Sequence, residues 1–297
     1  DVALQTDEFK SFFEKNKYWL KPYAVFSVLR DKNNTANFND WTEYSIYDAK
    51  SVDVLCNSKS DYYSEICYIY YVQYNLYKQL DSACSYARKH NIAIKGDLPI
   101  GVSRNSVETW MYPEYFNLDS QTGAPPDSFS SNGQNWGFPT YNWENIEKDG
   151  YAWWKDRLSY MSHFFDAYRI DHVLGFFRIW EIPQNTVLAT LGHFSPSLPL
   201  TVEEIEHSGL HFRKELFTSP FINDSVLSKI FGIHSNYVRD KFLEKKSYDF
   251  YNLKPEYNTQ KKVKVFFEGK NDENSIWIRD GLYRVIANVL FIPDTRR

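Results

Sequence analysis

Ala167-Tyr-Arg-Ile-Asp-His-Val-Leu-Gly175 reads as the end of a buried strand. Side chains alternate along an extended chain, so Arg169 and Asp171, two positions apart, face the same way. A neighbouring guanidinium favours the charged form of a carboxyl, which is what a nucleophilic aspartate needs. An isolated Arg-x-Asp is more often a structural ion pair, and the surrounding sequence has to separate the two readings.

Immediately upstream, Gly150 to Asp166 carries Tyr151, Trp154, Leu158, Met161 and Phe165 at helical spacing and feeds directly into Tyr168–Asp171. The same grammar occurs earlier. Asp61 to about His90 predicts one long helix with an apolar stripe of Tyr63, Ile66, Tyr70, Tyr74 and Leu80, followed by a short strand, Ile92-Ala93-Ile94, that ends at Gly96-Asp97-Leu98-Pro99. Helix, strand, then a polar residue at the strand's carboxyl end is a β/α unit, and such units place ligands at strand C-termini. Asp97 and Asp171 are therefore expected on one rim, at the ends of neighbouring parallel strands. Asp97 has a compatible structural reading, as the carboxylate that ties down the glycine-containing turn.

Residues 8 to 30 predict two short helices broken at Pro22. From Arg104 to Trp143 turn residues dominate and no period is sustained, so a long functional loop is expected. Within it Pro125-Pro126 stiffens the approach to Asp127, and Gly133-Gln-Asn-Trp-Gly137 sets the Trp136 indole between glycines beside amide groups, so the ring is expected to lie open as a sugar-stacking platform. Beyond Gln184 the signals are helical at Val202–Glu206 and Asn236–Lys246, strand-like at Val263–Phe267, and helical again at Asp280–Leu290. His207 and His211, four apart, could share a helical face, but no third ligand accompanies them, and no metal site is expected. The division expected is a catalytic portion at 1–183 and a continuation with insertion at 184–297.

The chain has 297 residues, 43% hydrophobic and 24% charged, which suits a globular protein, while 18% aromatic residues permit carbohydrate stacking without showing it. A net charge of −4 gives no footprint for nucleic acid, and no apolar run approaches the length of a spanning helix, so neither nucleic acid nor membrane is an expected partner. Cys56, Cys67 and Cys84 are irregularly placed and read as reduced thiols, which favours the cytoplasm.

Lys95-Gly-Asp-Leu-Pro-Ile-Gly-Val102, Gly123 to Trp143 with its Pro-Pro-Asp and Gly-Gln-Asn-Trp-Gly, the Arg-Ile-Asp-His block and Gly175-Phe-Phe-Arg-Ile-Trp-Glu-Ile-Pro183 occur in one order over about ninety residues. In this the chain resembles the amylomaltases, the 4-alpha-glucanotransferases of glycoside hydrolase family 77, and Arg104-Asn-Ser-Val107 is similar to their cytosolic disproportionating branch. The resemblance implies part of a (β/α)8 barrel with long inserted loops, incomplete at both ends, and retaining transfer of α-1,4-glucan without a cofactor. It implies Asp171 as nucleophile, Arg169 as the residue that orients it, and His172 as a contact to the adjoining glucose. Asp97, Asp127, Phe129, Gln134, Trp136 and Pro139 are implied in binding or shaping a groove for maltose and malto-oligosaccharides. The family's acid/base is the Glu of a Glu-Asp-Leu-Gly motif, which these residues do not contain; Glu181 and Glu268 sit in no matching sequence and are not assigned. Ser128 replaces the family's usual Tyr, and Ser103 an acid common in the closer relatives. A fragment of a longer enzyme, inactive alone, is the expectation, with a non-catalytic glucan-binding remnant and an α-amylase-type hydrolase as alternatives.

Overall fold

Helix α1 (Asp7–Asn33) starts where the Thr6 hydroxyl accepts the Phe9 N–H at 3.2 Å and ends at Asn34 in the left-handed conformation. The break expected at Pro22 does not occur; one 27-residue helix runs through it. Proline removes an N–H and crowds the preceding turn, but Pro22 is itself buried among Leu20, Ala24, Val25 and Phe26, so tertiary packing holds a turn that local chemistry would open.

In the computed structural model, which describes residues 3–247 and 249–294, α1 is followed by α2 (Ala49–Leu55), α3 (Tyr63–Lys89), β1 (Lys95–Leu98), α4 (Val107–Met111), β2 (Phe116–Asn117), β3 (Ser120–Ala124), β4 (Gln134–Asn135) and β5 (Thr140–Tyr141). Then come α5 (Trp143–Lys148), α6 (Ala152–Phe164), β6 (Ala167–Ile170), β7 (Ile179–Pro183) and β8 (His193–Ser195). The remaining elements are α7 (Val202–His207), α8 (Lys214–Phe217), α9 (Asp224–Phe231), α10 (Ser235–Phe242), β9 (Leu243–Ser247), β10 (Phe250–Leu253), α11 (Gln260–Phe266) and α12 (Glu273–Ile286). They form two compact units, one of the described residues up to Leu118 with Phe138–Val173, the other of Asp119–Gly137 with the described residues from Leu174. No described helix is long and apolar enough to cross a membrane.

In the first unit α3 runs as expected and packs on α1 through Ile66, Tyr70 and Tyr74, with the Phe9 and Tyr74 rings edge to face at 5.4 Å. The strand expected at Ile92–Ile94 falls later, at β1, which pairs in parallel with β6 from Lys95 opposite Ala167 to Leu98 opposite Ile170. Two helix–strand units thus lie side by side, though no closed barrel is present among the described residues. Strand β6 was expected to be buried, yet Arg169, Ile170 and Asp171 are exposed, because a two-stranded sheet leaves each strand one open edge.

Asp166 locks the entrance to both strands. Its carboxylate accepts the Ile94 N–H at 3.0 Å and the Arg88 Nε at 2.9 Å, and its own N–H donates to the Ile94 carbonyl at 2.9 Å. The Ile94 amide first, and the Arg88 guanidinium second, hold the Asp166 carboxyl below its usual range. A group whose folded pKa is depressed adds stability above its unfolded value and loses it as the pH falls through the folded value. Asp166→Asn is therefore expected to melt lower than the wild type at neutral pH, the gap closing below about pH 4. Thermal melts across that range check it; a gap independent of pH would show that the charge is not what matters.

Gly96 sits where β1 passes the ring of Phe165: an added Cβ would lie 2.4 Å from Phe165 Cδ2. Gly96→Ala is expected to destabilise the fold by about 1–3 kcal/mol through overpacking. A urea midpoint unchanged from the wild type would show that the ring yields freely.

The stretch 104–143, expected to be irregular, holds more structure than its composition suggests. A capping box between Ser106 and Thr109 starts α4, β2 pairs antiparallel with β5, and β3 and β4 join the second unit's sheet. That sheet is antiparallel throughout in the order β4-β3-β7-β8. The strand expected at Val263–Phe267 is overturned: Gln260 to Phe266 is α11. Val263 and Phe267, four apart, bury one face while Lys262 and Lys264 stay in water. Buried Gln260 anchors the turn, accepting the Val187 and Leu188 N–H groups and donating to the Tyr283 carbonyl at 2.9 Å. Tertiary burial at helical spacing outweighs the β-preference of the valines. The helix expected at Asn236–Lys246 ends at Phe242 and continues as β9, and the one expected from Asp280 already starts at Glu273, where Asp272 caps it.

Candidate active site

Register decides the first group of candidates. Asp97 on β1 stands opposite Arg169 on β6, and the guanidinium closes on the carboxylate as a fork, with Nε donating to Oδ1 at 2.8 Å and Nη2 to Oδ2. Arg169 was expected to pair with Asp171; its direct partner is Asp97. The Asp97 carboxylate, and more weakly the Asp171 charge, raises the Arg169 pKa above its ordinary value. Sequence spacing shows which face a side chain takes but not which neighbouring strand it meets, which is why the partner was missed.

Asp171 lies one residue beyond β6. Its N–H donates to the Leu98 carbonyl at 3.1 Å, extending the ladder and fixing the backbone from which the carboxylate projects. His172 follows with φ 47°, in the left-handed region that few residues other than glycine occupy. Strain of this kind clusters at functional sites. The Arg169 and Asp97 side chains are 62% and 55% exposed, and ion pairs this open contribute little to folding.

The other candidates, apart from Pro139, belong to the second unit. Asp127 Oδ1 accepts the N–H groups of Phe129 and Ser130 at 2.9 and 2.7 Å, so this carboxylate folds its own loop. The tight turn leaves Phe129 97% exposed. Gly133, at φ 65°, has no room for a Cβ against the Ala124 carbonyl, and the next residue enters β4. There the Trp136 backbone N–H is held by the Thr122 carbonyl and its indole N–H by Gln134 Oε1, at 2.9 and 3.0 Å. Trp136 is half-buried, not fully open as the flanking glycines suggested. Pro139, in the first unit, is buried, so it presents no surface to a ligand and acts only through the backbone it fixes.

Glu181 is 3% exposed on β7, and Glu268 lies exposed after α11; neither is near Arg169 in sequence or shares its sheet. The helical face that His207 and His211 could have shared does not form, since α7 ends at His207, whose ring meets the Glu203 carbonyl.

Two parallel strands, each preceded by a helix, give the first unit the helix–strand grammar of α/β proteins. Residues 2–280 match the family described as 4-alpha-glucanotransferase, glycoside hydrolase family 77. The 4-alpha-glucanotransferase DPE2 of Oryza sativa subsp. japonica is 43% identical over 300 residues, covering 99% of this chain and 32% of the rice protein. The 4-alpha-glucanotransferase of Chlamydia pneumoniae is 38% identical over 172 residues, 58% of this chain and 32% of its own length. Among solved structures, an amylomaltase from Streptococcus agalactiae in complex with acarbose is similar with a TM-score of 0.58 and 30% identity, over 69% of this chain and 42% of that one. The chain belongs to the 4-alpha-glucanotransferase family. It spans about a third of the length of these curated relatives.

Proposed function

We propose that the protein carrying this chain transfers α-1,4-glucan segments between malto-oligosaccharides by a retaining double displacement, and that Asp171 is its nucleophile. The observation that supports this best is an exposed aspartate at the end of a parallel strand, with a guanidinium already forked onto the acid of the neighbouring strand. Attack by the Asp171 carboxylate on an anomeric carbon would release the donor's remainder and leave a covalent glycosyl-enzyme. A glucan hydroxyl in place of water would then free the carboxylate, and two inversions preserve configuration. Arg169, through Asp97, positions the strand ends; His172 contacts the glucose next to the bond being cut.

Gln134 and Trp136 supply an amide and an indole for glucan binding, Phe129 an exposed ring, and Asp127 the turn that presents it; Pro139 shapes the backbone. The acid/base belongs to a Glu-Asp-Leu-Gly motif, which does not occur in these 297 residues. We assign residues 1–183 to the catalytic part of a (β/α)8 barrel and 184–297 to its continuation and insertion. The same reading places the protein in the cytoplasm.

Incubating the full-length protein with maltotriose tests the proposal. A ladder of longer oligosaccharides, with little net gain of reducing ends, is expected. Net hydrolysis would point to an amylase-type enzyme, and no turnover to a binding remnant.

A further inference from the structure

Apart from the strand ends, the first unit contains a cavity of about 510 Å³, within the roughly 300–1,000 Å³ usual for small-ligand sites. Rings from three segments wall it: Tyr18 and Trp19 of α1, Tyr112 just after α4, and Tyr160 of α6. Three carboxylates line it as well, Glu108 of α4, Asp149 before α6 and Asp156 of α6. Arg157 is the cation of the lining, and its guanidinium lies 5.2 Å from the ring centroids of both Trp153 and Trp154. The walls are therefore aromatic with an excess of negative charge.

Asp149 is occupied with its own surroundings: Oδ2 accepts the Tyr115 hydroxyl and Oδ1 the Ala152 N–H at 3.2 Å. The other two acids are not. Among the described residues, neither Glu108 nor Asp156 has a cation within ion-pair distance. Burial first, and the Asp156 charge after it, raise the Tyr18 hydroxyl above its ordinary pKa. The same charge, after burial and Tyr47, acts in that direction on Tyr112, so the field of this carboxylate reaches rings on two other segments. An anion entering here is repelled. A neutral molecule displaces the water that hydrates two carboxylates and returns no charge to them, which costs free energy. A cation both neutralises the acids and finds ring faces to lie against. A metal ion does not suit: it needs several ligands converging on one point, and no group of three His, Cys, Asp or Glu among the described residues could hold one. What remains is an organic cation, whose alkyl body packs on the rings.

We propose that this cavity, bounded by α1, α4 and α6, binds a small aliphatic ammonium ion, with Glu108 and Asp156 as its counter-charges and the Tyr18 and Tyr112 rings against its carbon chain. None of the lining residues belongs to the Asp97–Arg169–Asp171 group. The site therefore stands or falls apart from the transferase reading, and it gives the protein a ligand class other than sugars.

Titration calorimetry of the full-length protein with putrescine tests the site, with Asp156→Asn, Tyr18→Ala and Asp171→Asn beside the wild type and circular dichroism to confirm folding. Asp156 and Tyr18 are exposed enough for their substitution to leave the core intact. Saturable binding is expected in the wild type, weakened about ten-fold in Asp156→Asn, the scale of losing one hydrogen bond to a charged group, and weakened in the same direction in Tyr18→Ala. Butanediol, the neutral analogue of the same length, should not bind measurably, and Asp171→Asn should bind putrescine like the wild type. Absence of saturable binding overturns the site, as does equal binding of butanediol or wild-type affinity in folded Asp156→Asn and Tyr18→Ala. Loss of binding in Asp171→Asn would put the amine at the strand ends and overturn the site too.

Discussion

Asp171→Asn is expected to lower kcat for oligosaccharide transfer by at least about 10⁴-fold, the scale of loss when a residue acting as part of a catalytic unit is removed. Asparagine keeps the shape of the side chain and the ladder bond, since the N–H to the Leu98 carbonyl is made by the backbone. What it loses is the anionic oxygen that, in the mechanism proposed above, attacks the sugar. Folding should therefore be unchanged and substrate KM altered little. Mass spectrometry offers a direct check: a slow-reacting fluorinated glucosyl donor should add one sugar mass to a peptide containing residue 171 in the wild type and none in the variant. Labelling elsewhere, or a variant within ten-fold of wild-type activity, would remove Asp171 from the mechanism.

Arg169→Lys should cost about 10²-fold in kcat, the scale of a catalytic group displaced by about an ångström. Lysine keeps the charge, but it is a point donor and cannot grip both oxygens of Asp97 as the guanidinium does. Asp97 would then be free to swing, and the cation would no longer sit at a fixed place relative to Asp171. Because the side chains are largely exposed, the thermal midpoint should hardly move. In a double-mutant cycle Arg169→Lys with Asp97→Asn should lose much less than the product of the single losses, since the two act as one positioning unit. Additive losses would mean that Asp97 and Arg169 work separately.

Much of the local structure was legible from periodicity. The long helix before β1 and the helix before β6 fall where apolar spacing put them, and their strands are parallel neighbours as the repeated helix–strand grammar required. The failures share a cause. Pro22 sits inside a helix and Val263–Phe266 is helical because buried residues, Leu20 and Val25 in one case and Gln260 in the other, outweigh preferences that act only within a few residues. Trp136 was taken as open because its neighbours are glycines, but Gln134 and Thr122 hold it, and neither bond leaves a mark in composition.

The order of the motifs, from Gly96-Asp97 through Gly-Gln-Asn-Trp-Gly to Arg-Ile-Asp-His, was enough by itself to name the family, because residue order is written in the sequence whatever surrounds it. Only the tertiary structure decided that the Arg169 fork closes on Asp97, that Asp127 spends its carboxylate on its own turn, and that rings from three separate helical segments stand around a cavity. Each of these depends on strand register or helix packing between residues distant in the chain, and spacing along one strand or helix cannot encode which remote neighbour will be met.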